Sequence, residues 1–365
     1  MFLLIAFSIV VFIQIIFYLF LFGNFSFSKN ETKVYRPLAI SLIVCAKNEE
    51  SNLRNNFPII TKQNYDDLEI VLVDDASQDK SLEAMQEFKK IYSNLVIQII
   101  SISQSESSGK KHALSKGINA AKNDFLILTD ADCFPVNKNW IKEMSSYFSK
   151  DKSVVLGYGA YQKINNSFLN KLIRFETLLT AIQYFSYAKI GKAYMGVGRN
   201  IAYKKEEFIK AEGFSKHNHI ISGDDDLFIN QIATEKNITV CYSEQSFTMS
   251  NPETKLKNWI KQKRRHISTS NHYRGFHKFT LVLFYFSQLL FWSLAITLII
   301  LNNYLFVVLS IILLRFLITY FILFLSAKRL NEKDLIIFAP LYEISIIFIQ
   351  LYIFIRNIIS PPKYW

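Results

Sequence analysis

Two aspartates separated by one residue, Asp130-Ala131-Asp132, follow the apolar run Phe125–Thr129. Carboxylates so spaced at a strand end can present oxygens to a hard divalent cation. A cation held there can bridge diphosphate oxygens and neutralise charge on a departing nucleotide. The pair also suits a solvated turn or helix cap, so the tripeptide alone does not decide. Val71-Leu72-Val73-Asp74-Asp75-Ala76-Ser77 ends another β-rich run in acids, where a carboxylate can accept hydrogen bonds from a base or ribose. Its structural alternative is a cap, with Ser77 or Asp79 beginning the next helix.

Gly109-Lys110-Lys111-His112-Ala113-Leu114 opens a helix. Free backbone amides and cationic side chains at a helix N-terminus make a diphosphate site, and basic residues there oppose the helix dipole, which leaves them little structural motive. Ser222-Gly223-Asp224-Asp225-Asp226-Leu227 places three acids in succession. Their repulsion calls for a cation, a basic group or solvent. One of them can act as general base towards an acceptor hydroxyl, and an exposed helix cap is the plainer use. In Gln262-Lys263-Arg264-Arg265-His266, Arg265 can hold a phosphate, although a basic flank beside a membrane segment needs no ligand. His217 and His219 lack companions at metal-binding spacing and read as loop residues.

These groups need a scaffold. Short β-rich runs at Leu38–Cys45, Leu68–Val73, Val96–Ser101 and Phe125–Thr129 alternate with helix-like stretches at Glu49–Thr61, Ser81–Ile91 and Lys110–Ala121. Such alternation predicts an α/β fold with a doubly wound, mostly parallel sheet, whose ligands bind beyond the carboxyl ends of the strands. Lys47-Asn48-Glu49, Asp74-Asp75 and Asp130-Ala131-Asp132 all fall there.

The chain's 365 residues are 50% hydrophobic and 15% aromatic, and the apolar excess gathers at the ends. Phe2–Phe22 is an uncharged run of bilayer length without the basic start and cleavage site of a signal peptide, so it reads as an anchor. Phe279–Leu301, Tyr304–Leu325 and Leu335–Ile355 predict three further spans, the first two joined by a tight turn at Asn302-Asn303. The expected organisation is an anchor at 1–28, a catalytic domain at 29–254, a basic interfacial segment at 255–278 and membrane helices with a tail at 279–365. Cys45, Cys133 and Cys241 are too scattered for a disulfide framework, which suits a reducing compartment.

The net charge of +12 is concentrated just before the membrane helices, so it points to a cytosolic lipid face rather than to nucleic acid. With the loop at 328–333 also inside, the middle domain is cytosolic. Four crossings would then put the tail outside, with Arg356 and Lys363 on the wrong side for their charge. Arg315 and Glu343 lie nearly equidistant from that loop in neighbouring apolar runs, which predicts an intramembrane pair.

In this order, the segments resemble the membrane-bound family 2 glycosyltransferases, which include cellulose, chitin and hyaluronan synthases and many bacterial polysaccharide and glycolipid enzymes. The resemblance runs from about Ser41 to His266. It implies a GT-A fold and an inverting hexosyl- or N-acetylhexosaminyltransferase with a nucleoside-diphosphate sugar donor, by family habit UDP-linked. Mg or Mn would be held by Asp132 with Asp130. It also implies donor contacts from Glu49, Asp75, Lys110, Asp130 and Gly198, the last within Met195-Gly196-Val197-Gly198-Arg199-Asn200. Asp225, or Asp224 beside it, would be the base. Arg199, Gln262, Arg265 and His266 would meet the acceptor or diphosphate.

Membrane lipid and a lipid or glycan acceptor complete the expected partners, and a bacterial inner membrane is the expected location. Processive relatives carry Gln-x-x-Arg-Trp, and His266 standing in the Trp position makes single transfer to a lipid or lipid-linked glycan at least as fitting as addition to a growing polysaccharide. Two other classes fit part of the pattern. A nucleotidyltransferase shares the sheet but needs a Gly-rich opening loop where Cys45-Ala46-Lys47-Asn48 stands. A non-catalytic membrane scaffold would not need the acidic motifs.

Overall fold

A computed structural model describes the chain except for residues 30–32, 104–108, 221, 303 and 363–365. Asn303 of the expected turn and Lys363 of the tail therefore lie outside the described residues. The elements, in chain order, begin with α1 (Phe2–Ser26). Then come β1 (Ile40–Ala46), α2 (Glu50–Ile60), β2 (Leu68–Asp75), α3 (Ser81–Ile91), β3 (Val96–Ile102), α4 (Lys110–Ala120), β4 (Phe125–Asp130), β5 (Cys133–Pro135) and α5 (Trp140–Ser146). β6 (Val154–Leu156), β7 (Gly159–Tyr161), α6 (Phe168–Lys189), β8 (Ile201–Lys204), α7 (Lys205–Lys210), α8 (Asp226–Ile232), β9 (Ile238–Val240) and β10 (Thr248–Ser250) follow. The last helices are α9 (Leu256–Ser268), α10 (Gly275–Ile300), α11 (Leu305–Arg329) and α12 (Ala339–Ile359), with a 3-10 turn at Lys333–Phe338 leading into α12.

Two compact units form. One comprises described residues within 33–163 and 191–252, and the other those within 1–29, 164–190 and 253–362. Residues 164–190, inside the segment expected to be catalytic, thus belong with the membrane helices.

The first of these units is built on a seven-stranded sheet of order β3-β2-β1-β4-β8-β6-β9 and a small sheet of order β5-β10-β7. β3, β2, β1 and β4 run parallel, whereas β8 is antiparallel to both its neighbours. This is the mostly parallel α/β sheet expected. β1 and β2 are continuous aliphatic runs because both faces are covered: Leu42, Ile43, Ile70, Val71, Leu72 and Val73 are all fully buried. Gly117 lets α4 lie close on the sheet, since a Cβ there would come within 2.9 Å of Val73 and 3.0 Å of Ile43. The register pairs Cys45 with Asp130 and Ala46 with Asp74, so three adjacent parallel strands end at one level.

Among the described residues, the other unit holds four helices long and apolar enough to cross a membrane, one N-terminal and three C-terminal. Phe7, Val11, Phe291, Leu298 and Val308 form an apolar core among α1, α10 and α11. Arg315 of α11 forms an ion pair with Glu343 of α12, as their spacing predicted, and its Nε donates to Gln14 Oε1 at 2.8 Å.

Candidate active site

The carboxyl ends of β1, β2 and β4 bring the expected site groups together. Asp75 closes β2, and its two oxygens accept from Gly109 N at 3.1 Å and from Lys47 Nζ at 3.4 Å. Gly109 has φ +140°, a conformation that suits glycine, and it turns the chain so that Lys110 opens α4 beside β4. Asp79 precedes the cap position Lys80 of α3 and accepts from Ser81 N at 3.0 Å and, from the neighbouring helix, Glu50 N at 3.1 Å.

Lys110 is the hub. Its Nζ lies 2.9 Å from Asp130 Oδ1 and 2.9 Å from Asp224 Oδ2. Burial alone would lower its pKa. The carboxylates of Asp130, Asp224 and Asp225 outweigh burial and hold the ammonium well above its ordinary range. Lys110 therefore joins the strand-end pair to the acidic triplet, and is the cation that the triplet's repulsion required.

The three acids divide by partner. Burial opposes ionisation of Asp224, but Lys110 overrides it and draws the carboxyl below its usual range. Asp226 is buried, and its Oδ1 accepts from Leu227 N at 2.7 Å. Asp225 accepts from Gly198 N at 2.7 Å and from Asp226 N at 2.7 Å. Burial, followed by repulsion from Asp224 and Asp226, nevertheless pushes it up to about 7. A Cβ on Gly198 would lie 3.4 Å from both Asp225 Oδ2 and Lys110 Nζ, so the glycine marks where backbone, base candidate and cation converge.

Asp130, Asp132 and Cys133 bring two carboxylate oxygens and a sulfur within 4.8 Å of one another. Burial and then Asp130 raise the pKa of Asp132. Burial and Asp132 raise the Cys133 thiol, which donates to Asp132 Oδ1 at 3.2 Å. The thiol is thus held as a neutral neighbour, and the two hard oxygens are the donors that suit Mg or Mn. Burial and then these two aspartates also raise Glu49, against the hydrogen bond from Asn52.

Arg199 is turned into the protein. Its guanidinium donates to the carbonyls of Gly159 at 2.8 Å and Ala160 at 3.3 Å and to Ser250 Oγ at 2.8 Å, and it stacks over the Tyr161 ring. Gln262, Arg265 and His266 lie along α9, in the unit of the membrane helices, where Trp259 is buried. His217 is buried in the loop before the triplet and His219 is exposed. Burial and then Lys111 lower His217 to about 4.

Three residues escaped the sequence argument. Lys111 Nζ donates to the carbonyls of His217 at 2.6 Å and Ile220 at 2.9 Å, clamping the loop that leads to Asp224. Cys133 adjoins the aspartate pair and could have been noticed by adjacency. Asn200, fully buried, accepts from Trp140 Nε1 at 3.0 Å and donates to the carbonyls of Tyr158 at 2.9 Å and Ser246 at 2.7 Å. A lone Asn after Arg199 gives no sign of such a hub.

Residues 41–211 match the family model described as Glycosyl transferase family 2. Over 125 residues the chain is 28% identical to an uncharacterized glycosyltransferase of Haemophilus influenzae, covering 34% of this chain and 37% of that protein. Over 113 residues it is 30% identical to the processive diacylglycerol beta-glycosyltransferase of Mycoplasma genitalium, covering 31% of this chain and 32% of that one. The chain therefore matches roughly a third of the length of these curated relatives. A mannosyltransferase of Pyrobaculum calidifontis, solved with GDP-Man and Mn2+, superposes with a TM-score of 0.60 at 16% identity, covering 94% of this chain and 98% of that one, a likeness of fold. With the motifs ordered along a GT-A sheet, residues 41–211 belong to the glycosyl transferase family 2.

Proposed function

We propose that this chain is an inverting glycosyltransferase that moves a hexosyl or N-acetylhexosaminyl group from a UDP-linked donor to a lipid or lipid-linked glycan at the cytosolic face of a bacterial inner membrane. The observation that carries it is the continuous contact from Asp130 through Lys110 to Asp224, with Asp225 alongside on Gly198. It joins an anion-binding cation, a metal-binding pair and a carboxylate of near-neutral pKa. A lipid acceptor is supported by the likeness to the Mycoplasma enzyme, which acts on diacylglycerol, and by the departure at His266 from the polymer-synthase pattern.

In this reading Asp225 takes the proton of the acceptor hydroxyl as its oxygen attacks the anomeric carbon. The bond from that carbon to the diphosphate oxygen breaks on the opposite face, and the configuration inverts. Lys110 faces the departing diphosphate oxygens, and Asp75 and Glu49 border the nucleoside. Asp132 and Asp130 would hold the Mg or Mn, which when bound supplies Lewis-acid neutralisation of the diphosphate. Lys111 keeps the triplet loop against α4 while charge moves.

The test is purified full-length protein with Mn or Mg, a panel of UDP- and GDP-sugars and membrane lipid extract, with products identified by mass spectrometry. Release of nucleoside diphosphate with a new glycolipid supports the reading. Pyrophosphate release would assign a nucleotidyltransferase. Donor binding without turnover in the intact chain would assign a scaffold.

A further inference from the structure

We propose that α12, although long and apolar enough to span a bilayer, does not cross it. It lies within the leaflet at the bundle end occupied by α6 and α9, its outer face covered by the acyl chains of that leaflet.

The bundle end is fixed by contacts. Ser26 Oγ and Ser326 Oγ lie 2.6 Å apart, and Arg329 Nε donates to Ser26 O at 3.0 Å, so α1 and α11 finish together. Tyr187 near the end of α6 shares a 2.6 Å hydrogen bond with Thr280 near the start of α10, and Phe185 packs on Phe25. The last turns of α1 and α11 and the first turns of α10 therefore gather at α6. The turn joining α10 to α11 at Asn302 is the opposite end.

Both ends of α12 stay with α6 and α9. Before it starts, Glu332 and Asp334 pair with Arg174 of α6. One turn in, Tyr342 packs its ring 5.7 Å from Phe168 and 5.3 Å from Phe175. At its far end, Arg264 Nε of α9 donates to Asn357 Oδ1 at 2.9 Å, and Asn357 Nδ2 returns a 2.9 Å bond to Arg264 O. Lys263, next to Arg264, pairs with Glu176 at 2.5 Å and ties α9 to α6.

A helix rises about 1.5 Å per residue, so a perpendicular course would carry Asn357 roughly 27 Å from Ala339, towards the level of Asn302. Arg264 is next to Lys263, which is tied to Glu176 of α6, so it cannot follow Asn357 there.

The faces of α12 agree. Leu341, Phe348, Tyr352, Ile355 and Ile359 are exposed, and their spacing of seven, four, three and four residues puts them on one stripe. Tyr342, Ile346 and Ile353 on the other side are buried. Glu343 reaches Arg315, which pins the helix to the bundle. A helix with one lipid-ready face and both ends on one side is an in-plane element. This course also returns Arg356 to the side of the basic 255–278 segment, removing the charge conflict of a fourth crossing.

Single cysteines at Ser360, Lys257 and Asn302, probed with a membrane-impermeant maleimide in sealed vesicles of known orientation, test this course. Cys133 and Cys241 are buried and Cys45 partly so, and the unsubstituted chain supplies the background. Ser360→Cys should label from the same face as Lys257→Cys and opposite to Asn302→Cys. Labelling from the Asn302 face, or all three from one face, overturns the proposal. A protease-cleavable tag fused after Trp365 of the otherwise unaltered chain reads the same sidedness without a substitution. Cleavage from the Lys257 face supports it and cleavage from the Asn302 face refutes it.

Discussion

Replacing Asp225 by Asn removes the ionisable group while keeping its shape, and the structure sets the size of the effect. The carboxyl stands at about 7 against an ordinary 3.8. That difference corresponds to about 4 kcal/mol favouring the protonated form. Burial and the neighbouring Asp224 and Asp226 produce it, while Lys110 and the Gly198 N–H resist it. A base of this kind is about half ionised at pH 7 and about a tenth ionised at pH 6. For the wild type, kcat/KM should therefore rise about tenfold between pH 6 and a plateau above pH 8.

Asp225→Asn should lose roughly 10²- to 10⁴-fold in turnover, about 3–5 kcal/mol in the barrier, and lose the pH limb with it. Donor affinity by calorimetry should stay near wild type, because Lys110 and Asp130 keep their contact. Nucleoside diphosphate release across pH is the assay. Turnover within tenfold of wild type, or a pH limb that survives the substitution, refutes the reasoning. An inactive Asp224→Asn beside an active Asp225→Asn moves the base by one residue. Linkage adds an independent readout. Because the folded pKa lies above the unfolded one, this carboxyl withdraws stability as pH rises from about 4 through about 7. The Asn variant should not show that decline.

Asp132→Ala should abolish metal-supported turnover and flatten the Mn titration; near-normal activity would reject the metal assignment. Asn200→Ala strands the Trp140 N–H and the Ser246 carbonyl, while the Tyr158 carbonyl loses one donor and keeps Thr248 N–H. At about 1–3 kcal/mol per buried orphan, chemical denaturation should show a loss of about 3–5 kcal/mol. Arg315→Gln leaves Glu343 without its ion-pair partner and should lower the thermal midpoint in detergent, and the double variant Arg315→Met with Glu343→Leu should recover most of that loss.

The parallel half of the sheet was legible because its strands are buried on both faces. Ile43-Val44 and Ile70-Val71-Leu72-Val73 leave no other reading, and the observed ends fall within two residues of the expected ones. The antiparallel half was not. β6 and β9 are three residues each and β8 is four, too short to show a period, and their place depends on partners far along the chain. α6 was missed because Asn170, Arg174 and Thr177 interrupt its apolar pattern, and they are buried only because the helix is surrounded. Arg174 makes sense once Glu332 and Asp334, about 160 residues away, are seen to meet it. In the site, each acidic motif could be read from its strand or helix end. That Lys110 joins two of them, and that Asp224 and Asp225 are driven in opposite directions, depends on distances no sequence spacing encodes.

α6 also governs how this protein can be made or taken apart. β4 and β8 pair antiparallel across the stretch of chain that contains it, so the seven-stranded sheet cannot close until the ribosome has passed a segment that settles with the hydrophobic helices. A fragment trimmed at both ends to residues 30–252 would keep that segment, with Leu172, Phe175, Leu178, Ile182 and Phe185 stripped of their packing. Such a fragment should be sticky and poorly soluble. Obtaining a water-soluble form of the unit that holds the seven-stranded sheet calls for replacing residues 164–190 with a polar linker as well as cutting off the termini.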